Sequence, residues 1–138
     1  MAANDGSEAT APPIPELGID IIKVQRIRDA LARFGARFSA RVLTPSERGY
    51  VRDRPETFAG RWAAKEAVIK AWSGSRFSRR PVLPEGIHRD IEVITDMWGR
   101  PKVRLTGAIA EHLKDVTIHL SLTHEADTAA AVAILEER

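Results

Sequence analysis

The sequence predicts an α+β fold, a small antiparallel sheet packed with helices around one long central helix. Three observations point to it. Gly60 to Trp72, GRWAAKEAVIKAW, has no Gly or Pro after its first residue, four alanines and several other strong helix formers. Thr117 to His124, TIHLSLTH, alternates polar and apolar residues through Thr123, with His124 at the end, the pattern of a half-covered strand. Ile91 to Thr95 and Lys102 to Leu105 flank the turn Trp98-Gly99-Arg100-Pro101, which reads as a hairpin with a longer loop.

The chain has 138 residues, enough for one domain with a real core. Residues 1–13, MAANDGSEATAPP, are small, polar and proline-terminated, and are expected to form a disordered tail ahead of a single domain over 14–138. With 29% charged and 43% hydrophobic residues the composition is that of an ordinary globular protein. The absence of cysteine excludes a disulfide frame, a thiolate metal site and a cysteine nucleophile. No segment has the length of a membrane span, and no basic region followed by an apolar one opens the chain. A cytoplasmic location is the expectation. The net charge of +2 is mild, and its distribution is more informative.

Leu17 to Val24, LGIDIIKV, is β-branched and predicts a short strand interrupted by Asp20. Alternation allows Asp20 to lie on a solvent face opposite Ile19 and Ile21, or to cap the next helix; the other reading is a functional carboxylate. Val24, Ile27, Leu31, Phe34 and Phe38 then step by three and four, predicting a helix to about Phe38 that Gly35 ends or bends. Lys23, Arg26, Arg28, Arg33, Arg37 and Arg41 accompany that stripe against a single acid, Asp29. Such a one-sign face suits an acidic partner: nucleic acid, an anionic membrane or an acidic protein. It carries no aromatic residue on its basic side to stack bases, which weakens the nucleic-acid reading. Leu43-Thr44-Pro45-Ser46-Glu47 is a turn into a helix, with Thr44 and Glu47 forming a capping box around Pro45.

Within the central helix, Phe58, Trp62, Glu66 and Lys70 fall on one line, with Ile69 and Trp72 expected in the core. Glu66 and Lys70 read either as an i,i+4 ion pair, worth about 0.2–0.5 kcal/mol, or as functional groups on the edge of an apolar stripe. Ala63, Ala64, Ala67 and Ala71 leave room for another backbone to approach. Arg76 to Asp90 is expected as a long loop whose Arg76, Arg79 and Arg80 suit phosphate groups. Thr106 is expected to cap a helix over Gly107 to Lys114. Thr117 to His124 should pair with Thr128 to Leu135 across Glu125-Ala126-Asp127. Ile118, Leu120 and Leu122 then share one face, and His119, Ser121 and Thr123 the other.

Four pieces stand in order: Gly18-Ile19-Asp20-Ile21; Arg61-Trp62-Ala63-Ala64-Lys65-Glu66-Ala67 with Lys70; Gly99-Arg100-Pro101; and His119-Leu120-Ser121-Leu122-Thr123-His124. Together they resemble the holo-[acyl-carrier-protein] synthase family, the single-domain class of 4′-phosphopantetheinyl transferases, over nearly all of residues 17–136. Leu43 to Glu47 is similar to the family's Leu-Thr-Pro-x-Glu. The resemblance implies the phosphopantetheinyl transferase fold. It also implies transfer of 4′-phosphopantetheine from coenzyme A to a serine of acyl carrier protein, with release of adenosine 3′,5′-bisphosphate, in support of fatty-acid biosynthesis. It assigns Asp20 and Glu66 to Mg²⁺, which takes few protein carboxylates and completes its shell with water and phosphate. Lys70 becomes a phosphate ligand, and Glu66, directly or through water, a candidate base for the serine.

His119, Ser121 and Thr123 become candidate coenzyme A contacts, with Arg76 beside them. Arg26, with Lys23, Arg33 and Arg37 behind it, becomes the docking face for the acidic carrier protein. The family further implies a homotrimer with sites between subunits, and neither a nucleic-acid nor a membrane partner. Two departures are visible: Pro15 and Glu16 precede a late first strand, and the Ser73–Asp90 loop is long and basic. The rival reading is a non-enzymatic basic module that binds nucleic acid through Lys23 to Arg41; it leaves Asp20 and Glu66 unexplained.

Overall fold

The computed structural model describes residues 15–82, 84 and 86–138, so the expected tail over residues 1–13 lies outside the described residues. Three strands, β1 (Glu16–Lys23), β4 (Val116–Glu125) and β5 (Thr128–Glu137), form an antiparallel sheet in the order β1-β5-β4. β2 (Ile91–Thr95) and β3 (Pro101–Leu105) form the expected hairpin as a separate two-stranded sheet. The helices are α1 (Val24–Phe34), α2 (Ala36–Val42), α3 (Pro45–Val51), α4 (Pro55–Gly74), α5 (Ile87–Asp90) and α6 (Gly107–His112).

α4 is the 20-residue axis of the molecule and begins earlier than the alanine-rich stretch, with Pro55 in its first turn. It is enclosed on most sides, with Phe58, Ala63, Ala64, Ala67, Val68 and Trp72 all buried. One side meets the sheet, where β5 presents Ala129, Ala131, Ala133 and Leu135, also buried. These alanines let the sheet lie close to the helix, and at Gly18 the approach is closest. A Cβ added there would stand 1.9 Å from the Ala67 carbonyl oxygen and 2.7 Å from the Ala71 amide nitrogen. No side chain fits in that space, so glycine at position 18 is a requirement of the packing.

The packing at Gly18 sets the faces of β1. Gly18 and Ile22 turn toward α4 and are buried, and Asp20 lies on their side. Leu17, Ile19 and Ile21 therefore face outward, 63%, 65% and 69% exposed. The solvent-face reading of Asp20 is corrected: the carboxylate is on the covered side and the isoleucines are on the open one.

The helix expected over Val24 to Phe38 is two helices. Gly35 adopts φ 62°, its amide closes on the Leu31 carbonyl at 2.8 Å, and the chain turns before α2. Val24 and Ile27 are buried as the stripe requires, but the turn leaves Phe34 51% exposed. The Thr44–Glu47 capping box forms as expected, whereas Thr106 does not cap. Its hydroxyl donates to Asp90 Oδ1 at 3.0 Å, and α6 ends at His112, short of Lys114. The loop expected up to Asp90 closes with one helical turn, α5.

Candidate active site

The contact between β1 and α4 brings together three of the predicted residues. Lys70 Nζ donates to Asp20 Oδ1 at 2.8 Å and to the Ile19 carbonyl at 3.1 Å, strapping the strand to the helix. The Asp20 side chain is 13% exposed and that of Lys70 53%, so the pair sits at the rim of the core with its cation open to solvent. Glu66, one helical turn before Lys70, does not form the simple i,i+4 pair. Its Oε2 accepts from His88 Nε2 at 2.7 Å. That hydrogen bond, with the charges of His88 and Lys70, holds the Glu66 carboxyl below the ordinary glutamate value despite partial burial.

His88 is held from two sides. Its ring stacks on Trp62 with centroids 4.8 Å apart and planes 8° apart, and Trp62 leans on Phe38, itself stacked on Phe58 at 5.3 Å. Its carbonyl accepts from Lys65 Nζ at 2.7 Å. Lys65 is wholly buried and also donates to Glu47 Oε1 at 2.8 Å and to the Ile91 carbonyl at 2.7 Å. Burial pulls the lysine below its ordinary pKa, and the Glu47 carboxylate pushes the other way. Glu47 in turn accepts from the Thr44 amide at 2.9 Å and the Val93 amide at 2.8 Å. The capping box of α3 thus continues through a buried ion pair to the segment that carries His88. A cavity of about 500 Å³, lined by Phe38, Arg41, Val42, Trp62, Gly86 and His88, opens at this ring pair.

Sequence reasoning singled out neither His88 nor Lys65. The signal for Lys65 was present, since a lysine surrounded by Ala63, Ala64, Val68 and Ile69 has no wet face to occupy. His88 had none, because its partner lies 22 residues away on another element.

The remaining predicted residues stand elsewhere. His119, Ser121 and Thr123 project from the open face of the sheet, in register with Ile134, Val132 and Ala130 of β5, and so share that face with Leu17, Ile19 and Ile21 on the far side of β5. Within one chain they are on the opposite face from Asp20. His119 Nε2 lies 3.0 Å from Glu136 Oε1. Arg76 follows the end of α4 and lines a cavity of about 430 Å³ with Trp72, Arg79, His112 and Leu135. Lys23, Arg26, Arg33 and Arg37 are all exposed, with Arg37 on α2 beyond the Gly35 turn and Arg33 over the Phe34 ring at 5.2 Å.

Among the described residues no group of three or more His, Asp or Glu side chains is placed to hold a metal ion. Asp20 and Glu66 flanking one lysine instead suit Mg²⁺, which binds through one or two carboxylates plus substrate phosphates.

Residues 16–134 match the model of the 4′-phosphopantetheinyl transferase superfamily. The chain belongs to that superfamily and, within it, to the holo-[acyl-carrier-protein] synthases. It is 62% identical over 125 residues to the holo-[acyl-carrier-protein] synthase of Mycobacterium sp. (strain KMS), covering 88% of this chain and 95% of that one. The acyl carrier protein synthase structure from Mycobacterium tuberculosis has a TM-score of 0.75 at 57% identity, covering 89% of this chain and 97% of that one. The coenzyme A complex of the Chronobacterium ammoniagenes synthase has a TM-score of 0.81 at 36% identity, covering 91% and 99%. The α+β expectation and the resemblance are both met.

Proposed function

We propose that this enzyme transfers 4′-phosphopantetheine from coenzyme A to a serine hydroxyl of apo acyl carrier protein, with Mg²⁺, leaving adenosine 3′,5′-bisphosphate. Its relatives carry the name of that activity, and a relative of the same fold binds coenzyme A. The observation that carries the finer reading is the grouping of Asp20, Lys70 and Glu66 at the β1–α4 contact.

Asp20 and Glu66 hold the metal in this reading, and Mg²⁺ supplies charge neutralisation on the coenzyme A diphosphate. Lys70, half-exposed beside Asp20, turns its ammonium toward the same phosphates and stabilises the leaving bisphosphate. The serine oxygen bonds to the β-phosphorus, the bond from that phosphorus to the bisphosphate breaks, and Glu66, directly or through water, takes the serine proton. The exposed Arg26, with Lys23, Arg33 and Arg37, faces the acidic carrier protein and speeds encounter.

The open sheet face supports assembly into a homotrimer. Leu17, Ile19 and Ile21 form a contiguous apolar strip of the kind proteins cover with a partner surface. A second copy seated there brings His119, Ser121 and Thr123 to a subunit boundary, where they and Arg76 contact coenzyme A. The location is cytoplasmic in this reading; among the described residues no helix is long and apolar enough to cross a membrane.

The test is product analysis. Apo acyl carrier protein, coenzyme A and Mg²⁺ incubated with the enzyme should yield adenosine 3′,5′-bisphosphate and holo carrier protein in equal amounts, and a chelator should abolish both. Carrier modification without that nucleotide, or in full with chelator present, contradicts the reading.

A further inference from the structure

We infer that His88 is a positioning residue for Glu66: its Nε2–H fixes one carboxylate oxygen and so leaves the other, Oε1, as the metal-facing atom. The inference rests on the proposed metal role of Glu66. A glutamate on a helix has three rotatable side-chain bonds, and a ligand that must be frozen on binding weakens the site. Glu66 is already held, because Oε2 accepts from His88 Nε2 at 2.7 Å. Oε1 accepts no hydrogen bond among the described side chains.

The donor is itself immobile. The stack on Trp62 fixes the plane of the His88 ring, and the Lys65 ammonium, 2.7 Å from the His88 carbonyl, fixes the backbone that carries it. Lys65 is locked by Glu47, whose other contacts are the Thr44 and Val93 amides. Thr44 and Glu47 therefore do more than start a helix. Through Lys65 they set where His88 stands, and through His88 how Glu66 is oriented. Lys65 and Glu66 are neighbours in sequence but point apart, one into this support and one into the site.

Three variants separate the donor from the ring. His88→Phe keeps a ring to stack on Trp62 and removes the donor. His88→Gln gives up the ring and places an amide N–H where Nε2 stands. Glu66→Gln removes the charge of the proposed ligand. The readout is Mn²⁺ affinity of the full chain with coenzyme A present, from electron paramagnetic resonance of the free ion, with a thermal melt on each variant.

The expected result is that His88→Phe weakens Mn²⁺ binding about tenfold while melting as the parent does. His88→Gln should bind within about threefold of the parent. Parent-like Mn²⁺ affinity in His88→Phe, or equal losses in His88→Phe and His88→Gln, overturns the positioning role while leaving the metal site standing. Undiminished affinity in Glu66→Gln overturns the metal reading of Glu66, and the role of His88 with it.

Discussion

Lys70 Nζ and Asp20 Oδ1 meet at 2.8 Å although 50 residues separate them in the chain, and what brings them together is the lack of a side chain at Gly18. An alanine at position 18 would drive its Cβ against the Ala67 carbonyl, a backbone atom that cannot move aside. Gly18→Ala should therefore lift β1 from α4, lower stability by about 1–3 kcal/mol or more, and cost transfer activity beyond what instability explains. The control is Gly49→Ala on α3, where an added Cβ meets nothing within 4 Å and stability should be unchanged or slightly raised. Denaturant titrations of both variants check this; equal effects would contradict it.

The buried Lys65–Glu47 pair gives a sharper energetic expectation. Removing one member strands the other charge in the core, so Lys65→Met should destabilise the protein by about 3–5 kcal/mol. Urea unfolding measures it. A loss under about 1 kcal/mol would mean that the core tolerates an unpaired Glu47 and that the support beneath His88 is not rigid.

Acid stability should depend on Glu92. Its Oε2 accepts from the Thr44 hydroxyl at 2.6 Å and its Oε1 from Arg104 Nε at 2.9 Å, and the hydroxyl bond leads in holding its pKa below the ordinary value. A carboxyl depressed on folding adds stability above its unfolded value, roughly 4.3, and loses it as pH falls through the folded one. Glu66 has the same sign. Melting temperature should therefore drop between about pH 5 and pH 3, and Glu92→Gln should show a smaller drop across that window. An identical pH profile in the variant would contradict the assignment.

The open strip on β1 predicts assembly. Light scattering after size exclusion should give three chains per particle for the parent, and Ile19→Glu with Ile21→Glu should release single chains with little transfer activity. A parent that runs as one chain at micromolar concentration would refute the interface.

Much of this architecture was readable in the residues. The alanine-rich helix, the alternating strand with its neighbour, the hairpin and the capping box all depend on local periodicity and stereochemistry. The site was half readable. Asp20, Glu66 and Lys70 stood out as ionisable groups amid apolar ones, but alternation gives two faces to a strand without saying which is covered. Ile19 and Ile21 look like core, and only the close contact at Gly18 turns them outward. The Gly35 turn was visible as a glycine, its effect on Phe34 was not. The burial of Lys65 was legible from its apolar neighbours, but its partner Glu47, 18 residues away, was not, and His88 was beyond reach because its contact with Glu66 joins segments 22 residues apart.

Whether Asp20, Glu66 and Lys70 form the transfer site is read from the intact mass of apo acyl carrier protein after incubation with the enzyme, coenzyme A and Mg²⁺. The parent enzyme should add one phosphopantetheine group. Asp20→Ala, Glu66→Ala and Lys70→Met should each reduce the initial rate of modification at least about a hundredfold, a loss of about 2.7 kcal/mol of transition-state stabilisation, and a chelator should abolish it. Parent-like modification by the folded Asp20→Ala and Glu66→Ala variants would contradict this assignment and place the site elsewhere on the molecule.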